Sequence, residues 1–452
     1  MGLIPSSKSI RVFSLGCPKN LVDSEVMLGL LHQAGWTLSL GEEAEVVLVN
    51  TCGFIRDAKE ESIEAILRAA RDKEAGKYKY LVVTGCLPQR YKKDLRQELP
   101  EVDLFLGTNE VGEAAGLLEK LVRGELKKKQ IIGRPRFLYD HETPRILSSG
   151  PGSAYIKIAE GCSNCCSYCV IPKIRGRLRS RSIPSVLVEV EKAAAQGVKE
   201  VTLIAQDLTA FGQDARDEVK LTALLRSLVQ VEGIRWIRLL YAHPAHLTPE
   251  LVSLIREEEK ICKYLDLPIQ HIHDGILKAM NRRISGRSLR EVLAKIRREV
   301  PGIALRTSLM VGFPGETKKA FQELFEFVKE FEFDHLGVFT YSPEEGTRAG
   351  KMRGRVPAKI QAERYHQIMA LQKKISRKKQ EQQVGSRVEV LIEGAGKKAG
   401  VIWEGRTQRQ APEIDGLTLL TKGEALPGEM VEARITRAAA YDLYGEILQG
   451  HL

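Results

Sequence analysis

Ala154-Tyr-Ile-Lys-Ile-Ala-Glu-Gly-Cys162-Ser-Asn-Cys165-Cys166-Ser-Tyr-Cys169 runs from a β-rich stretch straight into a loop holding four of the chain's eight cysteines. A zinc site wants two Cys-x-x-Cys pairs about a dozen residues apart, and here the pairs abut, leaving no chain to wrap an ion. A ferredoxin-type Cys-x-x-Cys-x-x-Cys run needs a cysteine at 168, where Tyr168 stands. The spacing that works is Cys-x3-Cys-x2-Cys, drawn by Cys162, Cys166 and Cys169. Three thiolates on one tight loop hold three irons of a 4Fe–4S cluster and leave the fourth iron open to bind a small molecule. Zinc and chance clustering are the lesser alternatives, and Cys165 is surplus.

The loop opens a block of alternating strands and helices. Strands are expected at Ala154–Ala159, Glu200–Ala205, Trp236–Tyr241, Tyr264–Pro268, Ala304–Val311 and His335–Tyr341, with amphipathic helices between them. Six β/α units imply a partial, TIM-like barrel with functional loops at the strand C-termini. Gln206 and Asp207 end the second of these strands, as candidate cofactor hydrogen-bonders or ordinary strand-end polar groups. Val311-Gly-Phe-Pro-Gly-Glu-Thr317 ends the fifth, with Gly312, Gly315 and Glu316 as candidate cofactor contacts, although such turns often only make a corner. Arg175, Arg179 and Arg181 follow the cysteine loop. Their planar forks suit a carboxylate, and solvated arginines are the plain alternative. His271 and His273, after the fourth strand, read as packing or hydrogen-bonding groups.

Upstream, Ile10–Leu15, Val46–Asn50, Tyr80–Thr84 and Val102–Leu106 read as strands between helices at Leu21–Ala34, Asp57–Arg71, Pro88–Glu98 and Glu110–Leu121, a doubly wound parallel α/β domain. Each of its three cysteines, Cys17, Cys52 and Cys86, falls just past a strand's C-terminal end, at the sheet edge where such folds bind ligands. Lone cysteines are usually small buried hydrophobes, and Cys262, placed before a strand, reads as one. Three at the same structural point favour a second iron–sulfur cluster with three protein ligands. Disulfides would leave one unpaired.

The expected domains are 8–124 (α/β), 125–149 (a linker with Lys127–Lys129, Pro135 and Pro144), 150–383 (barrel, ending in a helix over 357–383) and 384–450. The last region carries short runs at Val388–Ile392, Ala399–Trp403, Leu417–Leu420, Met430–Thr436 and Leu443–Ile447 among glycines, an OB-like all-β module. A chain of 452 residues exceeds a single core. No apolar run approaches a membrane span, and the first ten residues lack the apolar core of a secretory signal. A Met-Gly-x-x-x-Ser start has no basic cluster to support lipid anchoring. A cytoplasmic protein with no membrane partner is expected. Its net charge of +11 suits a polyanionic partner such as RNA or a ribosomal particle, or simply a basic enzyme.

The cysteine spacing on a β/α barrel resembles the radical S-adenosylmethionine enzymes, and three N-terminal cysteines with a C-terminal TRAM domain resemble their methylthiotransferases. Leu15-Gly-Cys-Pro-Lys-Asn-Leu-Val-Asp-Ser-Glu25, Tyr264-Leu-Asp-Leu-Pro-Ile-Gln-His271 and Gly337-Val-Phe-Thr-Tyr-Ser-Pro-Glu-Glu-Gly346 look like the branch acting on ribosomal protein uS12. The tRNA-modifying branches usually carry Gln-x-Asn where Pro-Lys-Asn stands. The resemblance implies that Cys162, Cys166 and Cys169 hold the cluster that reduces S-adenosylmethionine to a 5′-deoxyadenosyl radical. That radical takes hydrogen from an aspartate β-carbon, and a second 4Fe–4S cluster on Cys17, Cys52 and Cys86 carries the methylated sulfur. It also implies uS12 or the small ribosomal subunit as substrate, an electron donor such as flavodoxin or ferredoxin, and a sulfur donor.

Residues 385–450 hold eight Lys/Arg against ten Asp/Glu, net −2, so the remainder carries +13. A module gripping tRNA phosphates should be basic; a slightly acidic one suits a basic ribosomal protein. The rival readings are a tRNA methylthiotransferase acting on a modified adenosine near the anticodon, and a non-catalytic ribosome- or RNA-binding iron–sulfur protein.

Overall fold

Continuous β-branched runs lie where a sheet is covered on both faces, and the first sheet follows that rule. The computed structural model describes residues 8–215 and 220–448. In it β1 (Ser9–Ser14), α1 (Pro18–Gln33), β2 (Thr37–Leu38), β3 (Ala44–Thr51), α2 (Arg56–Glu74), β4 (Tyr78–Gly85), α3 (Cys86–Glu98), β5 (Leu104–Leu106), α4 (Ala114–Val122) and β6 (Gln130–Ile131) follow in order. The six strands make one sheet, β2-β1-β3-β4-β5-β6, every neighbouring pair parallel. Val46–Val49 and Leu81–Val83 are wholly buried at its centre. The helix expected from Glu110 starts as a 3-10 turn, Glu110–Glu113, before α4. β2 and β6 are too short to show a period in sequence. β6 also lies in the stretch read as a linker, and that stretch is tied down. Glu25 of α1, wholly buried, accepts Arg145 Nη2–H at 2.6 Å and the Ser148 N–H at 2.6 Å.

The chain forms two units. One holds residues up to Ser148 with Ala159–Asn164 and Cys169–Arg181; the other holds Ser149–Ile158, Cys165–Tyr168 and everything described from Ser182 onward. Next in chain order come β7 (Ser153–Lys157), β8 (Ala159–Glu160), α5 (Ile171–Ile174), β9 (Arg179–Ser180), α6 (Ile183–Ala195), β10 (Glu200–Ile204), α7 (Leu221–Leu228), β11 (Trp236–Leu239) and α8 (Pro249–Glu257). Then follow β12 (Ile261–Asp266), α9 (Asp274–Met280), α10 (Gly286–Glu299), β13 (Ala304–Val311), α11 (Lys318–Phe331), β14 (His335–Thr340) and α12 (Ala358–Glu381). β8 and β9 form an antiparallel ribbon in the first unit. β7-β10-β11-β12-β13-β14 is a parallel sheet with two free edges, the expected open barrel. Ser182, Thr248, Ser285 and Thr317 accept a backbone N–H at the start of α6, α8, α10 and α11, which fixes where the loops end. Cys262 is inside β12, not before it, and is fully buried.

β15 (Arg387–Ala395), β16 (Trp403–Arg406), β17 (Thr418–Leu420), β18 (Met430–Ala438) and β19 (Leu443–Ile447) close into a small barrel. The strand expected over Ala399–Trp403 is displaced to Trp403–Arg406, because residues 396–401 turn back and the Gly396 N–H reaches Ile402 O at 2.8 Å. This module docks on the parallel sheet through charge. Arg238 Nε and Arg406 Nη2 donate to the two oxygens of Glu200 at 2.6 and 2.5 Å, and all three side chains are fully buried. Tyr264 Oη donates to Asp415 at 2.7 Å, Arg306 lies 3.5 Å from the same carboxylate, and His335 Nε2 meets Arg409 O at 2.7 Å.

Candidate metal centres

In the first unit, adjacent strand ends deliver the three N-terminal cysteines. Cys17 follows β1 and precedes α1, whose first residue is Pro18; Cys52 follows β3; Cys86 opens α3 after β4. Glycines let these loops close up. Gly16 sits at φ +88°, and a Cβ there would stand 2.7 Å from Cys52 Cβ and 3.1 Å from its sulfur; one on Gly53 would stand 2.9 Å from Cys86 backbone. A polar lattice sets the register. Asn50 Nδ2 donates to Asn20 O at 2.9 Å and Ser24 Oγ at 2.8 Å, Thr51 Oγ1 donates to Thr84 O at 2.6 Å, and Ser62 Oγ binds the Cys52 backbone on both its N–H and its carbonyl. The Pro-Lys-Asn and Asp-Ser-Glu residues of the quoted motif are therefore buried scaffold.

Burial, then the charges of Cys86 and Cys17, pushes the Cys52 thiol up to about 12; burial also raises Cys86, with Arg175 opposing. Three mutually repelling sulfurs are costly as bare thiolates and favourable around a cation, because coordination deprotonates a thiol outright. Soft donors at two helix N-termini suit an anionic iron–sulfur cluster. No disulfide joins any of the eight cysteines.

Arg175, expected to face a ligand's carboxylate, is committed within this unit. It is 3% exposed; Nη1 lies 2.5 Å from Asp23 Oδ2 and 3.4 Å from Glu160 Oε2, and Nη2 reaches Asn20 Oδ1 at 3.0 Å and Cys86 Sγ at 3.2 Å. Arg179 donates to the Arg177 and Arg175 carbonyls, and Arg181 stacks on Tyr139 at 4.4 Å. Residues 162–169 lie in one stretch without helix or strand. Of them Cys162 and Cys169 belong to the first unit: the Cys162 N–H donates to Gly176 O at 3.1 Å, and Val170 and Ile174 pack on Cys86.

Cys166 belongs to the second unit, where Arg282 Nη1 stands 3.8 Å from its sulfur. The exposed Cys165 offers its carbonyl to Asn281 at 2.7 Å and to Arg348 at 3.3 Å. Around Arg282 lie strand-end groups of the parallel sheet. Asp207 accepts from Thr209 Oγ1 at 2.7 Å and meets His246 Nδ1 at 2.8 Å; His246 stacks on His243. Burial and then Arg282's charge pull His243 down to about 3. Asp207, His243 and His246 offer ligand atoms within 4.8 Å of one another. However, His243 Nδ1 accepts the Ala245 N–H at 3.2 Å, which puts its proton on Nε2 and argues for a hydrogen-bonded cluster.

Gln206 is half-buried at the end of β10. Gly312 is required by its backbone, at φ +77°, and a Cβ there would also stand 2.4 Å from the Gln361 side chain of α12; Gly315, at φ +85°, faces open space. Glu316 is tied to the Gly312 N–H and to Arg364 at 3.4 Å, while its Oε1 and the His271 Nε2, 3.8 Å apart, are both buried without a hydrogen-bond partner. His271 Nδ1 accepts the His273 N–H at 3.0 Å. Sequence reasoning missed Arg282, His243 and His246; the His243-Pro-Ala-His246 spacing after β11 was the available signal.

Residues 9–107 match uncharacterized protein family UPF0004, residues 156–328 the Radical SAM superfamily, and residues 384–448 the TRAM domain. The chain is 49% identical over 442 residues (98% of this chain, 97% of the relative) to "Ribosomal protein uS12 methylthiotransferase RimO" of Syntrophotalea carbinolica. It is 50% identical over 445 residues (97% and 98%) to the protein of that name from Syntrophus aciditrophicus, and 48% over 445 residues (98% and 99%) to that from Geobacter sulfurreducens. In fold it is similar to the radical S-adenosylmethionine methyltransferase TsrM of Kitasatospora setae (TM-score 0.57, 16% identity, 76% of this chain and 77% of that one). A second likeness in fold is to the cobalamin-dependent radical enzyme OxsB (TM-score 0.52, 11% identity, 81% and 56%). With near-half identity along almost its whole length, the chain belongs to the RimO family of ribosomal protein uS12 methylthiotransferases, within the radical S-adenosylmethionine superfamily.

Proposed function

We propose that this protein is a methylthiotransferase that modifies the β-carbon of an aspartate in ribosomal protein uS12 by radical S-adenosylmethionine chemistry. The observation that carries the reading is the meeting of Cys17, Cys52 and Cys86 at one sheet edge in a chain that also bears the Cys162, Cys166, Cys169 loop. In this reading Cys17, Cys52 and Cys86 would hold an auxiliary 4Fe–4S cluster, and Cys162, Cys166 and Cys169 the one that meets S-adenosylmethionine. When bound, these groups supply one-electron reduction, hydrogen abstraction and a methylated sulfur.

The chain's own residues supply position. The Asn20, Ser24 and Asn50 lattice keeps the strand ends in register, and the glycines keep the loops close. Gln206, Asp207 and the Gly312–Glu316 turn border the strand ends where the cofactor would lie; Asp207 is oriented by His246 and Thr209. We assign residues 8–124 to the sulfur-carrying domain, 150–383 to the radical domain and 384–450 to TRAM. A low-potential carrier such as flavodoxin or ferredoxin would supply electrons and a separate donor would restore sulfur. No helix among the described residues is long and apolar enough to cross a membrane, and a ribosomal substrate supports a cytoplasmic reaction.

Mass spectrometry of uS12 and of tRNA from cells lacking the gene tests the substrate. Loss of the methylthio mass from uS12 is expected; loss from tRNA with uS12 unchanged would overturn the assignment. Reduced, anaerobically reconstituted protein should yield 5′-deoxyadenosine from S-adenosylmethionine, and a failure to do so would leave only a binding protein.

A further inference from the structure

We propose that Arg175 is a positioning residue for the centre on Cys17, Cys52 and Cys86: held by Asp23 and Asn20, it donates an N–H to the Cys86 sulfur and so raises that centre's reduction potential. The inference rests on the cluster reading above and adds a role for a residue six positions beyond the other cysteine set.

The geometry is specific. Nη1 faces carboxylates, at 2.5 Å (Asp23) and 3.4 Å (Glu160), whereas Nη2 is turned to Asn20 Oδ1 at 3.0 Å and Cys86 Sγ at 3.2 Å. An ion pair with Asp23 alone would not need the second nitrogen aimed at sulfur. A neutral thiol is a weak acceptor; a metal-bound thiolate carries charge and makes the stronger, charge-assisted bond. The guanidinium is only 3% exposed, so water screens it little. Its charge outweighs that of Asp23 at the Cys86 sulfur. Hydrogen bonds to sulfur and nearby positive charge stabilise the more negative, reduced cluster, and both set iron–sulfur potentials. Arg175 is itself fixed by its chain segment, through the Cys162 N–H to Gly176 O and the β8–β9 ribbon.

The test uses full-length protein carrying Cys162→Ala, Cys166→Ala and Cys169→Ala, loaded anaerobically with iron and sulfide, with the cluster followed by potentiometric electron paramagnetic resonance. Adding Arg175→Met with Asp23→Asn removes both charges of the pair. It should lower the reduced-to-oxidised ratio at fixed potential at least tenfold, about 59 mV for one electron. Asp23→Asn alone should raise the ratio severalfold, and Arg175→Lys should lower it, each with iron per chain unchanged. The opposite signs separate tuning from general damage, and should the double variant shed its iron, the two single variants decide. Shifts of the same sign, or under about twofold, with iron retained would refute the role of Arg175. A parent protein that binds no iron would instead refute the cluster reading beneath it.

Discussion

One carboxylate at the first residue of β10 answers two guanidiniums, and Glu200→Gln tests what holds the C-terminal module in place. Glu200, Arg238 and Arg406 are wholly buried, with bonds of 2.6 and 2.5 Å. Arg406 also reaches Glu393, and Arg238 the Gln408 carbonyl at 2.8 Å. Removing the one anion common to both arginines leaves positive charge uncompensated in a dry site, a loss of about 3–5 kcal/mol. A second route gives a similar figure. Burial alone would raise the Glu200 carboxyl, but Arg406 and Arg238 outweigh it and hold it at about 2, against an ordinary 4.5. That displacement is worth roughly 3 kcal/mol. Because the folded value is the lower one, this stability is complete above pH 4.5 and fades as pH falls toward 2.

Urea unfolding followed by tryptophan fluorescence reads the effect. Trp236 Nε1 donates to Glu389 Oε2 of β15 at 3.0 Å, so one reporter sits at the docked surface. The midpoint should drop for Glu200→Gln and the acid limb below pH 4.5 should flatten. Pairing it with Arg406→Met should cost less than the two singles together, since one unpaired charge goes with the other. An unchanged midpoint, or an acid limb like the parent's, would show that the pair contributes nothing to docking.

Three further outcomes follow from local geometry. Gly16→Ala puts a Cβ 2.7 Å from Cys52 Cβ at a φ of +88°; about half the iron should be lost, as for Cys17/Cys52/Cys86→Ala, measured as iron and sulfide per chain with far-ultraviolet circular dichroism retained. Glu25→Gln removes the wholly buried partner of Arg145, at 2.6 Å. It should cost about 3–5 kcal/mol locally and expose residues 144–148 to limited proteolysis, read by mass spectrometry. His243, held at about 3 by burial and then by Arg282, is neutral in the fold. Its folded value is depressed, so stability present above 6.5 is lost as pH falls toward 3; His243→Asn should flatten the urea midpoint between pH 6.5 and 4.5, above the range where Glu200 titrates.

What could be read from the sequence was whatever has a local signature. Val46–Asn50 and Leu81–Thr84 announce strands by composition, and Cys17, Cys52 and Cys86 reveal their shared edge by standing after such runs. β2 and β6, two residues each, exist only because neighbouring strands offer free backbone. Arg175 looked available for a ligand because its true partner, Asp23, lies 152 positions away. Glu200 and Arg406, 206 positions apart, were equally silent: each sits in a short strand whose apolar neighbours gave the only visible signal. Gly312 illustrates the converse. A glycine in a strand-end turn suggests close approach by a ligand, whereas what requires it is the turn's own φ of +77°, with the Gln361 side chain of a helix about fifty residues on packed against it.

The docking network also changes how the charge of the C-terminal module must be counted. A total of −2 treats every charged residue as facing outward, yet Arg406, Arg409, Glu389, Glu393 and Asp415 are engaged with the parallel sheet or with one another. Setting these aside leaves six basic and seven acidic residues for the rest of the module. A surface that recognised RNA through its phosphates would need a basic surplus, because releasing counterions from phosphate supplies most of the non-specific affinity. Arg406 and Arg409, which would add to such a surplus, are instead paired with Glu200 and Asp334. The module's remaining charges are near balance, with Lys398 and Asp442 paired at 2.8 Å, a composition suited to a protein surface rather than to tRNA phosphates.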